Sequence, residues 1–449
     1  MSWAQYPEYK ESGTLVLDKV PRGWTVTRLS RVLAGIKDGT HGTFARVADG
    51  VPLLSAKNVH DYGLQIGAEE SLISREDYLE ITRVGYPKRG DVLLTIVGTI
   101  GRTCVFDSDT PLAFQRSVCF LRPNRHCNPA FLSYVVRSSP FQNQLNLAAK
   151  TAAQSGVYMG DVAACLLALP SRDEQGVICS FLDRETAKID ALIGKQQQLI
   201  ATLREDRTAT ITDAVTKGLN PHADRKDSRI ESLGMVPQHW TVTPLKHVLR
   251  KEPGAIKAGP FGSDLTASEM AGDFAKVYNQ RAVLDEDPLA GPEWVTEFKY
   301  QELGAFRVSP GDVLVTTRGS IGRAFEVPSD APKGVLHPCV IRVRADQARL
   351  SNEFFLILLN ETPTLRAQFS LLSNATTIDV IYSGTLASCI VPVPPKSEQQ
   401  QIVAYVREQR SKIDSLISKA TEMVRTLQEF RSALITDAVT GKIDVREVN

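Results

Sequence analysis

The 449-residue chain is predicted to be a mixed α/β (α+β) protein. Two globular domains are each followed by one long helix, and the two helices form a coiled coil. Three observations predict this. The chain repeats itself in tandem. Each copy carries strand-type segments and then helix-type segments. Each copy ends in a proline-free stretch whose apolar residues fall at heptad spacing.

The repeat extends over most of the chain. "VPRGWTVTRLSRVL" returns as "VPQHWTVTPLKHVL", "GDVLLTIVGTIGR" as "GDVLVTTRGSIGR", and "LPSRDEQGVICSFLDRETAKIDALI" as "VPPKSEQQQIVAYVREQRSKIDSLI". "ITDAVT" occurs identically at 211–216 and 435–440. Paired segments lie about 220 residues apart and keep their order, which defines a tandem duplication. Agreement is uneven: Val51 to Tyr86 and Val277 to Phe306 share little. A common scaffold carrying variable surfaces is expected.

Within the first copy, Gly90-Asp91 followed by "VLLTIV" reads as a turn into a buried strand. "FQRSVCFLRP" alternates like a strand, and "NPAFLSYVVRSSPFQNQLN" has helical spacing with Asn128 as N-cap. The second copy repeats this with Gly311-Asp312, "LHPCVIRVRA" and "SNEFFLILLNETPTLRAQF", capped by Ser351. The first domain is expected over 1–170 and the second over 221–394. Long helices follow over 171–220, which takes in the start of the linker, and over 395–449. Each helix has roughly 45 residues, or about 65 Å. The seam of the first is expected from Leu182, Ile189 and Leu203 alternating with Leu192 and Leu199. In the second, Val406, Ile413, Ala420, Leu427 and Leu434 alternate with Leu416, Met423 and Phe430. Gln196 interrupts the first seam. "GLNPHADRKDSRIESLG" is a polar linker.

The composition excludes several classes. Hydrophobic residues make up 43% and charged residues 23%, as in ordinary globular domains. No apolar run is long enough to span a bilayer and no signal pattern opens the chain, so a cytoplasmic protein with no membrane contact is expected. The seven cysteines form no CxxC, which argues against a zinc ribbon or disulfide framework; they read as small buried hydrophobes. No metal site is expected. The net charge of +1 gives no global pull on nucleic acid, although local patches matter more than the sum.

No phosphate loop, GxSxG, HExxH or kinase signature occurs, and no catalytic residue is assigned. Asn128-Pro129-Ala130-Phe131 resembles the adenine-holding motif of methyltransferases, but Asn as N-cap with Pro at the first helical position explains it better. Glu174-Gln175 and Glu398-Gln399 suit capping at a helix start. What remains is recognition. "GIKDGTHGTF" offers Lys37, Thr40, His41 and Thr43, and the matching "AIKAGPFGSD" offers Lys257 and Ser263. Lys57 and Asn58, and Asn279, Gln280 and Arg281, lie in the variable stretches. Arg102, Arg116, Arg318 and Arg323 add guanidinium groups suited to phosphates and base edges. These fifteen residues are the DNA-binding candidates.

At this point the chain resembles the specificity (S) subunit of type I DNA restriction–modification systems. The resemblance rests on "YPEYKESG…VPRGW" and "DSRIESLGMVPQHW", the loops "DGTHGT" and "GPFGS", both "GDVL…G(T/S)IGR" segments, and the P-x-x-x-E-Q openings of both long helices. It covers essentially the whole chain. It implies two target recognition domains related by pseudo-twofold symmetry, with the helices as an antiparallel coiled coil. Each domain reads one half of a split, asymmetric double-stranded DNA target. The helices set the gap and dock two methyltransferase (M) subunits, and restriction (R) subunits can join. The resemblance places S-adenosylmethionine, ATP and Mg2+ in those partners and no cofactor in this chain. Other readings are a coiled-coil adaptor that binds only proteins, and an adenine methyltransferase using Asn128-Pro129.

Overall fold

The computed structural model describes residues 3–61, 63–149, 156–372 and 380–446. The chain forms two compact units. Unit 1 comprises Met1–Gln197 and Thr421–Asn449, and unit 2 comprises Gln198–Ala420. Each unit therefore takes half of each long helix rather than one whole helix.

Unit 1 holds an antiparallel sheet of β1 (Leu33–Asp38), β2 (Val92–Thr95), β3 (Thr103–Val105) and β4 (Val118–Pro123), in the order β1-β4-β2-β3. Unit 2 holds β5 (Ile256–Ala258), β6 (Val313–Thr316), β7 (Ala324–Glu326) and β8 (Val340–Val343), in the same order, β5-β8-β6-β7. The Gly-Asp-Val segments enter β2 and β6, as their buried apolar runs require. The aspartate has its own purpose. Asp91 accepts the Lys88 amide at 2.6 Å and both Nε and Nη2 of Arg122 at 2.7 Å. Asp312 repeats the turn bond with Ser309 at 2.9 Å and pairs with Arg344. The motif closes a turn and ties the start of one central strand to the end of its neighbour.

A smaller sheet flanks each main one. Val51–Leu54 pairs in parallel with Ala113–Phe114, and Ala275–Tyr278 pairs in parallel with Gly334–Leu336. The helix Pro129–Arg137 starts at Asn128, whose side chain accepts the Ala130 amide at 2.9 Å, with proline in the first turn. Ser351 caps Asn352–Asn360. The Asn-Pro pair is thus a helix start. Six cysteines are buried, and Cys339 is only half-buried. This corrects the expectation for that one thiol, which lies in a turn at the end of the sheet.

The long helices are α1 (Arg172–Lys217, 46 residues) and α2 (Lys396–Thr440, 45 residues). In unit 1, Leu182, Ile189 and Ile193 of α1 share a core with Leu434, Ile435 and Val439 of α2. In unit 2, Ile211, Ala214 and Val215 of α1 share a core with Ile402, Val403 and Val406 of α2. The two units repeat one ion pair reciprocally: Arg431 of α2 meets Asp190 of α1 at 3.0 Å, and Arg207 of α1 meets Asp414 of α2 at 3.0 Å.

One row of the expected seam differs. Leu182, Ile189 and Ala420 are buried, and Leu203, Ile413 and Leu427 are half-buried. Leu192 (48% exposed), Leu199 (45%), Leu416 (49%), Met423 (49%) and Phe430 (48%) face outward. The second row of the seam instead runs through Ile193 and Val424, which pack into the unit 1 core. A heptad row can be completed three or four residues on. The large side chains at the three-residue step suggested that choice. The inward row is the four-residue step, which includes small and charged residues such as Arg207 and Arg431.

The helix starts repeat atom for atom. Gln175 Nε2 donates to the carbonyls of His126 (2.9 Å) and Pro170 (3.1 Å), while its Oε1 accepts the Asn128 amide at 2.7 Å. Gln399 does the same with Arg349 (2.7 Å), Pro394 (2.9 Å) and Ser351 (2.9 Å). Glu174 accepts Trp24 Nε1 at 3.1 Å, and Glu398 accepts Trp240 Nε1 at 3.1 Å. The helix ends return to the same tryptophans. Gly218, just beyond α1, and Gly441, just beyond α2, have left-handed backbone (φ 72° and 75°). A Cβ on either would lie 3.1 Å from the Trp240 ring or 3.2 Å from the Trp24 ring. Glycine serves there both as C-cap and as a flat seat for the ring.

Candidate nucleic-acid interface

In each unit one turn gathers the candidate loops at one end of the main sheet. In unit 1 the turn is Gln115–Ser117. The Gly39 amide donates to Val118 O at 2.9 Å, Ile96 to Ser117 O at 2.9 Å, and Gln115 to Leu54 O at 2.8 Å. In unit 2 the turn is His337–Cys339. Gly259 donates to Val340 O at 2.9 Å, Thr317 to Cys339 O at 3.1 Å, and His337 to Tyr278 O at 3.1 Å. The same three connections thus collect the loop after β1 or β5, the loop after β2 or β6, and the loop after the central strand of the small sheet.

The first glycine of the "DGTHGT" and of the "GPFGS" loop is required by this approach. A Cβ on Gly39 would lie 2.3 Å from Gln115 O, and one on Gly259 would lie 2.1 Å from His337 O. Only glycine lets the backbones come so close.

Most of the expected binding residues fall on these loops. In unit 1, Thr40 and Arg116 are joined by the Arg116 amide to the Thr40 carbonyl at 3.0 Å. Lys37 is half-exposed on β1; His41 and Thr43 are exposed on the loop. His41 bonds Asp38 at 2.5 Å and Lys37 lies 3.9 Å from the same carboxylate. In unit 2, Lys257 lies over the Phe306 ring at 4.9 Å, Ser263 is exposed, and Gln280 lies beside Gly319. Arg116 and Arg318 are exposed. Among the described residues neither guanidinium has a hydrogen-bond or ion-pair partner.

Lys57 and Arg281 occupy the same place in the two units. Each follows the capping residue of a short turn after the small-sheet strand, Ser55 or Asn279. Lys57 pairs with Glu70 at 2.8 Å and Arg281 with Asp285 at 3.2 Å. Around this pair the two copies share little sequence, with Val59 and Val283 the match two residues on.

Three of the expected residues lie apart from the exposed set. Asn58 is 2% exposed, with its amide spent on Ser55 N, Gln65 O and Glu70. Asn279 is 8% exposed; it caps a helix at Ala282 N and bonds Glu293. In this structure both buried amides hydrogen-bond within their own loops and hold them in shape. Arg323 leaves the loop end: its guanidinium donates to Asn360 O at 3.4 Å and lines a cavity of about 610 Å³ with Arg204, Arg207, Arg407 and Arg410. Arg102, at the base of its loop, is half-exposed and its amide donates to Thr95 Oγ1 at 2.9 Å. Phe261, His337 and Gln115 lie on the same faces and were not selected from sequence. Only the repeat alignment, which sets His41 opposite Phe261, could have pointed to one of them.

The Lys57 ammonium, bonded to Glu70, holds that carboxyl below its usual value of 4.5, and Asn58 adds to the effect. A depressed carboxylate stabilises fully above its unfolded value and loses that contribution as pH falls through the lower folded value. The Ser55–Glu70 contacts are therefore expected to persist at neutral pH and to weaken only below 4.5. NMR of the Asn58 side-chain amide during acid titration checks this. Glu70→Gln is expected to abolish the transition.

Among the described residues, no helix is long and apolar enough to cross a membrane, and no group of three or more His, Cys, Asp or Glu could hold a metal ion.

Comparison with known proteins places these loops in context. Residues 276–418, which begin on the small-sheet strand of unit 2 and end in α2, match the family model described as type I restriction modification DNA specificity domain. The chain is similar over nearly its whole length to particular specificity subunits. It is 20% identical over 445 residues to the type I restriction enzyme StySPI specificity subunit of Salmonella potsdam, covering 95% of this chain and 90% of that one. It is also 20% identical over 447 residues to the EcoKI specificity subunit of Escherichia coli strain K12, with the same coverage. Its fold is shared, at a TM-score of 0.62 and 19% identity, with a chain solved in work on assembly and conformational transition of the type I R-M system. That likeness covers 94% of this chain and 99% of the other.

Proposed function

We propose that this chain is the DNA sequence-specificity subunit of a type I restriction–modification complex, and that each unit reads one half of a split, asymmetric target. The observation that carries the reading is the repeated loop end. The same backbone connections gather the same loops in both units, while the side chains offered differ. A common scaffold with two unlike reading surfaces suits a bipartite, non-palindromic target. Lys37, Lys57, Arg102 and Arg116 serve one half, and Lys257, Gln280, Arg281 and Arg318 the other. Thr40, His41, Thr43 and Ser263 add hydroxyl and imidazole groups. The names of the relatives support the same assignment.

In this reading α1 and α2 form an antiparallel coiled coil with pseudo-twofold symmetry, which spaces the readers. The outward row supports a docking role. Leu192 and Leu199 on α1 correspond in the repeat to Leu416 and Met423 on α2, with Phe430 one heptad further. Equivalent exposed apolar rows on both helices offer equivalent seats to two identical methyltransferase subunits. Restriction subunits join through them. The chain itself performs no catalysis. S-adenosylmethionine, ATP and Mg2+ belong to the partners, and the complex works in the cytoplasm with the DNA.

The test is to co-express the chain with its methyltransferase and map N6-methyladenine genome-wide. A single split motif with a fixed gap is expected. Exchanging residues 221–392 for another recognition domain should change one half alone, and Arg318→Ala should weaken binding roughly 10-fold through that half. A contiguous motif, or none with an active methyltransferase, overturns the proposal.

A further inference from the structure

The loop end of unit 2 carries one residue unlike the rest. Phe261 is 82% exposed, so the apolar face of its benzyl side chain lies in water. Its backbone is not loose. The amides of Asp264 and Leu265 donate to the Phe261 carbonyl at 2.9 and 3.2 Å, closing a turn. Leu265, four residues on, is buried in the core beside the small sheet. Gly259, two residues before, is pressed against His337. The ring is thus held outward by a turn anchored at both ends. The same end of the sheet also carries the polar and cationic Lys257, Ser263 and Arg318.

The matching residue in unit 1 is His41, also exposed but bonded to Asp38. One unit therefore offers a polar ring at the loop tip and the other an apolar one. An apolar side chain fixed at the tip of a cation-flanked loop has little to gain from phosphates. It suits a base step, where such residues act as wedges that partly unstack the duplex.

We propose that Phe261 is a wedge residue that enters the DNA at a base step of the half-site read by unit 2, and that unit 1 makes no equivalent insertion. This rests on the DNA-reading assignment above. The ring gains stacking or apolar contact with bases, and the opened step favours sequences that deform easily. Phe261 would then shape specificity at a position where no hydrogen bond is made.

The experiment uses the complete complex with its methyltransferase subunits and a duplex bearing the mapped motif. 2-Aminopurine is placed at each position of the half-site that domain exchange assigns to unit 2. The wild-type complex is expected to raise fluorescence several-fold at one step, in addition to the adenine extruded for methylation. Phe261→Ala is expected to remove the first signal, keep the second at saturating protein, and weaken binding about 10- to 100-fold. Phe261→Trp should restore both. The unchanged melting temperature of each variant shows that folding is intact, since the ring is exposed. If no position brightens apart from the methylated adenine, or if Phe261→Ala binds like wild type, the wedge is overturned. Loss of methyltransferase co-purification by Phe261→Ala would also overturn it, by assigning the ring to a protein contact. Failure of the underlying reading is distinct: the wild-type complex would then show no preference for the motif at all.

Discussion

Trp240→Ala is expected to destabilise unit 2 by about 3–5 kcal/mol, the usual cost of removing a large buried aromatic. The ring is buried in the unit 2 core. It joins three segments: the turn that leads into the strand Thr241–Pro244, the start of α2 through Glu398 at 3.1 Å, and the end of α1 through Gly218. Truncation opens a cavity and leaves Glu398 with His239 at 2.8 Å. For a unit of this size the melting temperature should fall by roughly 10 °C. Trp240→Phe keeps most of the packing and loses the indole bond, so it should cost only about 1 kcal/mol. Calorimetry of both variants checks the ordering. If the two melt alike, the ring does not carry the junction.

Asp312→Ala is the second large effect, expected at about 3–5 kcal/mol. The carboxylate is buried and accepts Arg344 at 2.7 and 3.1 Å. A second guanidinium, Arg342, is buried 4.0 Å away. Burial pushes the Arg342 pKa down and Arg344 pushes it further, so the anion between them offsets a real repulsion. Removing it leaves the two cations facing each other in a poorly solvated site, with the partly exposed Glu252, 3.2 Å from Arg344, as the carboxylate that remains beside them. The equivalent Asp91→Ala in unit 1 should cost less. Phe120 stands there in place of Arg342, and only Arg122, which is more exposed, loses its partner. Denaturant unfolding of the two variants compares them directly. Equal losses would remove the second arginine from the account.

The repeat, the two long helices, both helix caps and the Gly-Asp turns were legible in the sequence. Each depends on local chemistry or on a pattern that survives in both copies. "ITDAVT" illustrates the limit. Its repetition announced an architecture, but not that Gly218 and Gly441 beyond it each seat a tryptophan. The candidate site was legible as loops rather than as side chains. Arg116 and Arg318 are exposed there, whereas Asn58 and Asn279, chosen for the same amide chemistry, are spent on their own turns. An asparagine that reads a base and one that caps a helix look identical in sequence; the difference is the distance to the next free amide.

By itself the sequence determined that the chain is duplicated, that each copy ends in a heptad helix, and that variable stretches separate common ones. Periodicity and capping follow from residue type and spacing alone. The tertiary structure decided which of two heptad rows turns inward, which cations are exposed, and which loops meet. Those outcomes depend on contacts between residues far apart in the chain. Leu192 and Ile193 are adjacent and equally apolar. Only the core that Ile193 enters, built from the far end of α2, leaves Leu192 facing outward.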